Sequence, residues 1–278
     1  MHAAMAGDRR ALEELLTQYL PLIYDIVGRA MNGHPDVDDV VQETMLRAVR
    51  ALPGLREPER FRSWLVAIAI RQTQDRARQL VRSRAGGPVR HLPLDAVTDL
   101  ADPTADFVDP AIERMSLVER RREVELASAW LAVDDRTVLA LWCREITGEL
   151  TRAEVAEALA LSQAHTAVRI QRMRARLDLA RALLLAWRAT PRCGQLSTAA
   201  RSWDGRVDPA WFRRLGRHVR GCPACLDRRQ PALASERLLA GIGLLPVPSG
   251  LLPGLPATLG AAHPGSATGA SWLTAKLL

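Results

Sequence analysis

Apolar positions in the first third of the chain recur three and four residues apart. Residues 8–31 carry Leu12, Leu15, Leu16, Tyr19, Leu22, Ile23, Ile26 and Val27, a stripe that predicts one amphipathic helix with a bend at Pro21. His34-Pro35 ends it. Residues 36–52 resume with Val37, Val40, Val41, Met45, Ala48 and Leu52 on one face, and Asp38, Asp39, Gln42, Glu43, Arg47 and Arg50 mostly on the other. Pro53-Gly54 and Pro58 mark a loop. Residues 61–82 form a third predicted helix, apolar at Trp64, Leu65, Ile68 and Ala69 and basic at Arg71, Arg76, Arg78 and Arg82. No stretch alternates with a period of two, so the expected fold class is all-α.

The pattern lapses between residues 83 and 110, where four prolines and many aspartates read as a linker. Its acidic run is Asp95, Asp99, Asp102, Asp106 and Asp109; it reads as a slack tether or as a mimic of nucleic acid. Helical periodicity returns over 112–132 and in VDDRTVLALWC. Thr151 then caps a predicted helix, with Glu154 completing a capping box. A short turn at 161–163 precedes a helix that starts at Ala164 and mixes Val168, Ile170, Met173 and Leu177 with Arg169, Arg172, Arg174 and Arg176. Helix, short turn and arginine-bearing helix fit a DNA-binding helix-turn-helix. An ordinary helical hairpin with a solvated charged face fits the same pattern.

Composition narrows the chemistry. The net charge is +7, and all but one of the 38 basic residues are arginine, the exception being Lys276. Arginine's planar fork suits phosphate and guanine acceptors. The N-terminal stretch has no apolar run, so no signal peptide is expected. Four cysteines, two of them in C-x2-C, fit a metal site in a reducing, cytoplasmic compartment better than a disulfide framework. Cys193, His218, Cys222 and Cys225 have the spacing C-x24-H-x3-C-x2-C. One imidazole and three thiolates make a closed tetrahedral zinc shell with no open position for water. A buried cysteine pair beside a surface histidine is the alternative, and Cys143 in LALWC reads as a core thiol. Asp208-Pro209 opens a helix that places His218 and Cys222 one turn apart. No Ser/His/Asp or paired-carboxylate set stands out, so no enzyme is expected. Leu238 to Ala275 lacks any Asp, Glu, Lys or Arg, but five prolines argue against a spanning helix. A flexible, sticky tail is expected, with no firm membrane contact; membrane contact and docking onto the protein's own helices are the alternatives.

DVDDVVQETMLRAVRAL followed by FRSWLVAIAIRQTQDRAR resembles region 2 of bacterial sigma factors of the extracytoplasmic-function (ECF) type. LAVDDRTVLALW and LTRAEVAEALALSQAHTAVRIQRMRARL resemble their region 4. The resemblance spans residues 8–185. It implies a core RNA polymerase-binding face of Asp38, Asp39, Gln42, Glu43 and Arg47. It also implies promoter DNA contacts by Arg60, Phe61, Arg62, Trp64, Arg71 and Arg76 at the minus-ten element. At the minus-thirty-five element it implies contacts by His165, Thr166, Arg169, Arg172 and Arg174. The chain departs from the family pattern at Val66, Ala67, Arg71 and 164–166. Residues 190–230 are similar to the zinc-binding anti-sigma domain, whose hallmark is H-x3-C-x2-C.

The expected organisation is therefore sigma region 2 over 1–85, a linker over 86–110, a region 4 helix-turn-helix over 111–188, a small zinc domain over 190–230, and an uncharged Pro/Gly-rich tail over 231–278. The expected function is a sigma factor that brings core RNA polymerase to promoters under intramolecular control by its zinc domain. That control is expected to run through the basic helix of Arg213, Arg214, Arg217 and Arg220, meeting the acidic 36–43 face. A stand-alone helix-turn-helix regulator is the alternative; it has no use for the Asp39 to Arg47 face.

Overall fold

The structure, a computed structural model, describes residues 1–83, 122–205, 207–226, 245–248 and 251. The acidic linker and most of the tail lie outside the described residues. Every regular element among the described residues is helical, as the sequence periodicity requires.

The first block holds α1 (His2–Met5), α2 (Arg9–Ala30), α3 (Val37–Ala51) and α4 (Phe61–Ser83). Asp8 caps α2 by accepting the Ala11 N–H at 3.0 Å. The helix is continuous through Pro21. Its apolar stripe meets α3 and α4, burying Ile23, Ile26, Val41, Met45, Phe61 and Leu65.

The second block holds α5 (122–128), α6 (Val133–Ile146), α7 (Arg152–Ala158) and α8 (Gln163–Arg188). The capping box forms as expected: the Glu154 N–H donates to Thr151 Oγ1 at 3.2 Å, and the Thr151 N–H donates to Glu154 Oε2 at 2.8 Å. Ser162 caps α8 by accepting the His165 N–H at 3.2 Å, so that helix starts one residue before the expected Ala164.

Three short helices follow: α9 (Gly194–Ala199), α10 (Pro209–Gly221) and α11 (Pro223–Leu226). Asp208 Oδ1 accepts the N–H groups of Ala210 at 2.7 Å and Trp211 at 2.9 Å. Pro209 fills the position where a missing N–H costs nothing.

Packing does not follow the divisions expected from the sequence. α6 is apolar on nearly every side, with residues 137–143 all buried, and such a helix has to be covered all round. Ala140 and Leu141 join Leu150, Val155 and Ala158 in the core of the first block. Val138, Leu139, Trp142 and Cys143 join a second core with α5, α8 and the last three helices. The second block therefore shares its core with the first block on one side and with the last three helices on the other. α10 lies on α8, burying Leu215 and Val219, and a Cβ added at Gly216 would sit 3.0 Å from Leu179 Cδ2. Trp203 joins the two with ring centroids 5.0 Å from Trp187, 5.5 Å from Trp130 and 6.3 Å from Trp211. The expected meeting of α10 with the acidic face of α3 does not occur: α10 packs on α8, α9 and α11, and Arg213, Arg214, Arg217 and Arg220 face outward. Leu215 and Val219 set the orientation, because burying an apolar face outweighs a surface charge contact.

The described part of the tail reaches α2. The Leu245 N–H donates to Asp25 Oδ1 at 3.1 Å, and Leu251 is buried in the first core. A Cβ at Gly28 would lie 2.7 Å from Leu245 Cδ1, so this close approach depends on glycine. The docking alternative for the tail holds for these residues.

A shared second core makes a prediction. Leu215→Ala is expected to cost about 2–5 kcal/mol and to lower the melting of α8 together with that of the last three helices, as followed by calorimetry and circular dichroism. Melting of the last three helices alone, with α6 and α8 unchanged, would show that the core is not shared.

Candidate functional site

On α3 the apolar residues turn inward and leave a polar ridge. Asp39, Gln42 and Arg47 are exposed and Asp38 and Glu43 half-exposed; Arg47 Nε lies 2.5 Å from Glu43 Oε1. Asp38 also works inward, since it bonds Tyr24; burial and this carboxylate together raise the Tyr24 hydroxyl above its ordinary pKa. Of the five residues expected to meet polymerase, Asp39, Gln42, Glu43 and Arg47 form the open ridge, while Asp38 is partly turned to Tyr24 of α2.

The residues expected at DNA divide into two groups. Arg71 is exposed on α4. Arg76 pairs with Asp36 at 2.6 Å, which ties α4 to the start of α3. Phe61 is 2% exposed; it stands edge-on to Tyr19, with centroids 5.2 Å apart, and supports the half-buried Trp64 at 5.7 Å. Phe61 is therefore a floor beneath Trp64 rather than an open stacking surface. Arg60 and Arg62 reach across to α7. Arg62 Nε lies 2.7 Å from Glu154 Oε1, and one of its terminal nitrogens donates to the Glu149 carbonyl at 2.8 Å. Arg60 pairs with Glu157 and, at 3.1 Å, with Glu57.

On α8, His165 and Arg172 are exposed and Arg169 half-buried. Arg174 lies over the Trp142 ring, 5.0 Å from its centroid. Arg176 pairs with Asp135. Thr166 is fully buried, and its hydroxyl donates to the Ser162 carbonyl at 2.9 Å, so it faces the inside of the helix-turn-helix. The polar groups that the sequence reading missed are Asp25, Arg144, Glu149 and Glu157. Asp25 interrupts the apolar stripe of α2 between Leu22 and Ile26, and Arg144 ends the apolar run of α6. A charge in an apolar stripe is a signal of a buried partner.

The four expected metal ligands converge. Cys193 comes from the turn before α9, His218 from the last turn of α10, Cys222 from its end and Cys225 from α11. Their ligand atoms all lie within 4.8 Å of one another. Cys193 Sγ is 3.8 Å from Cys222 Sγ and 3.5 Å from His218 Nε2, while Cys225 Sγ is 3.4 Å from His218 Nε2. A tetrahedron with Zn–S near 2.3 Å and Zn–N near 2.05 Å has S–S edges of about 3.8 Å and S–N edges of about 3.5 Å. The donor set and its spacing fit zinc. The Leu196 N–H at the start of α9, helped by His218 and Cys222, pulls the Cys193 thiol down to about 6. Burial and the neighbouring thiols push Cys225 up to about 12. The Cys193 thiolate is thus the favoured one of the two, and a cation held here would favour ionised thiols.

Two outcomes are expected from this geometry. Metal analysis finds one zinc per chain, and Cys222→Ser with Cys225→Ser abolishes it; a metal-free wild-type chain purified with zinc present would remove the site. The second concerns Glu154. Burial alone would raise its carboxyl, but Thr151 and Arg62 hold it below the ordinary 4.5. Its contribution is full above pH 4.5 and is lost as pH falls through the lower folded-state value. Glu154→Gln, which keeps the capping box, is expected to flatten the acid limb of the stability curve by roughly 0.5–1 kcal/mol. Superimposable acid limbs would contradict it.

The family described as Sigma-70 region 2 matches residues 15–83. Among known proteins, the chain is 33% identical over 175 residues to the "Probable RNA polymerase sigma factor RfaY" of Xanthomonas campestris pv. campestris, covering 63% of this chain and 41% of that one. It is 30% identical over 132 residues to the "ECF RNA polymerase sigma factor SigM" of Mycobacterium tuberculosis, covering 48% of this chain and 63% of that one. The chain thus spans less than two thirds of either relative. A solved structure, "Structure of CnrH in complex with the cytosolic domain of CnrY", is similar with a TM-score of 0.41 and 26% identity over 64% of this chain and 91% of that chain. α2, α3 and α4, with the ridge on α3, occupy the matched stretch. Residues 15–83 thus match the sigma-70 region 2 family, and the chain is similar in sequence to proteins described as RNA polymerase sigma factors, including an ECF-type one.

Proposed function

We infer that the chain is a sigma factor that directs core RNA polymerase to promoters and catalyses no reaction itself. The observation that carries this reading is the polar ridge of α3 within the region 2 match: Asp39, Gln42, Glu43 and Arg47 side by side, with no described helix over them. A mixed-charge ridge on a rigid helix suits a specific, salt-sensitive protein interface. The arginines of α4 and the first turns of α8 supply promoter contacts on this reading, phosphate and base edges both suiting the guanidinium fork. No described helix is long and apolar enough to cross a membrane, and the proposed location is the cytoplasm, where polymerase works.

In this reading Cys193, His218, Cys222 and Cys225 hold a zinc ion whose role is structural, because four protein ligands leave it no open position. The metal fixes α9, α10 and α11 against α8. The fused unit therefore acts on region 4, through the seating of the helix that carries His165, Arg169 and Arg172. This replaces the expected contact of α10 with α3.

The reading is tested by binding. Purified chain is expected to bind core RNA polymerase in low salt. Asp39→Arg with Glu43→Arg is expected to weaken that binding by about tenfold or more while leaving helicity unchanged. A wild-type chain that does not bind core polymerase under these conditions overturns the reading.

A further inference from the structure

α10 carries more positive charge than its packing uses. Arg213, Arg214, Arg217 and Arg220 are all exposed. By the helical repeat, Arg213, Arg217 and Arg220 fall within about 60° of one another, on the side opposite Leu215 and Val219. Residues 209–221 contain no Asp or Glu, and Asp208 is spent on the N–H groups of Ala210 and Trp211. Arg9, Arg10, Arg47 and Arg78, by contrast, each have a carboxylate three or four places away. Arg213, Arg217 and Arg220 make no ion pair among the described residues, and Arg214 lies over Trp211, 5.0 Å from the ring centroid.

Like charges three and four places apart destabilise a helix. The negative end of the helix dipole offsets this for Arg217 and Arg220, but not for Arg213, which lies in the first half of α10. The helix is nevertheless firmly seated, because Leu215 and Val219 are fully buried in the second core. A fixed row of unmatched guanidiniums suits a polyanion. Arg213 to Arg220 spans about 10 Å of helix, and a duplex of that length carries about six phosphates.

The place of α10 on α8 selects the polyanion. Gly216 sits against Leu179. Leu179, Arg172 and His165 are spaced by seven, so they lie along one stripe of α8. α10 therefore stands on the stripe that shows His165 and Arg172 to solvent, about 10 Å beyond Arg172. That distance is about three base-pair steps. We propose that the outward face of α10 binds the backbone of duplex DNA, with Arg213, Arg217 and Arg220 on phosphates that flank the stretch met by α8. Such contacts carry no base sequence; they add affinity and fix the direction of the duplex across α8. The choice of duplex DNA rests on the reading of α8 as DNA-facing. The face is open in the structure as it stands, so no separation of the two blocks is required.

The test uses the full chain purified with zinc present and a labelled random-sequence duplex of about three helical turns, with affinity followed by anisotropy across a salt series. Arg213→Gln with Arg217→Gln is compared with Arg9→Gln with Arg10→Gln, which removes the same charge from exposed positions on α2. The slope of log Kd against log salt is expected to be shallower by about 2 in the α10 variant than in this control. Adding Arg220→Gln is expected to take off about one more. Arg213→Lys with Arg217→Lys keeps the charge and is expected to keep the wild-type slope, which separates lost charge from lost fold. Equal slopes in the α10 variant and the control overturn the proposal. So does weakened binding to phosphatidylglycerol vesicles with DNA binding unchanged, which would make the face a membrane contact. Arg169→Gln with Arg172→Gln tests α8 in the same assay; an unchanged slope there removes the α8 reading, while the α10 result stands on its own slope. The assay contains no polymerase, so failure of the sigma-factor reading shows separately, as a chain that does not bind core polymerase.

Discussion

The fold turns on α6. A helix with apolar residues on nearly all sides cannot sit at a surface, and residues 137–143 are buried without a break. Leu141 and Ala140 need the first block; Val138, Trp142 and Cys143 need the second. Burial in such a core raises the Cys143 thiol to about 11, so this cysteine is chemically quiet and distinct from the three that meet His218. Every larger feature follows from the two-sided burial. It holds the first block against the second, and it makes α8 share its core with the helices that carry the four candidate metal ligands.

Local features were legible in the sequence because their physics is local. The stripe of α2, the Thr151–Glu154 capping box and the Asp208-Pro209 helix start each depend on residues within one or two turns. The metal set was legible for a related reason: three of its four ligands fall within eight positions of one another, and the C-x24 arm only has to bring α9 beside the end of α10. Phe61 and Thr166 were read as DNA contacts because they lie inside motifs, and a motif does not say which of its residues face inward. Contacts across the two blocks, such as Arg62 with Glu154 and Arg144 with Asp25, are 92 and 119 positions apart and left no periodic trace. The available clue was chemical: Asp25 in the middle of an apolar stripe, and Arg144 directly after LALWC. α6 was legible too, as a run with no polar face, and its two-sided burial sets where the domains meet.

The polar groups divide by burial into those that fix the structure and those that can change partners. Asp25 has Arg29, Arg144 and the Leu245 N–H around it in a dry site, where a lone carboxylate would be costly. Arg181 with Glu123, 2.8 Å apart and nearly buried, likewise joins α5 to α8. The pairs at Arg60 and Arg62 are about half exposed, so water and salt weaken them. The contact between the blocks therefore rests on Ala140, Leu141, Leu150, Val155 and Ala158 around the buried pair, and the rim pairs add little to it.

The length of α8 separates its exposed first turns from the helices that carry the four candidate metal ligands. At 26 residues it runs about 39 Å, and its two halves have different surroundings. The first half shows His165, Val168 and Arg172 to solvent; the second buries Leu177, Leu179, Leu183 and Leu184. The metal-bearing helices clamp only the second half, since Leu215, Val219 and the indole of Trp203 lie there. A helix transmits orientation along its axis with little loss, so seating the far end sets the direction in which the exposed end points. A metal held by Cys193, His218, Cys222 and Cys225 would tie α9, α10 and α11 together and so steady the cover that α10 gives the apolar second half of α8. The helices that carry the four candidate metal ligands thus bear on the second half of α8, and α10 makes its main described contacts with α8, α9 and α11 rather than with α3.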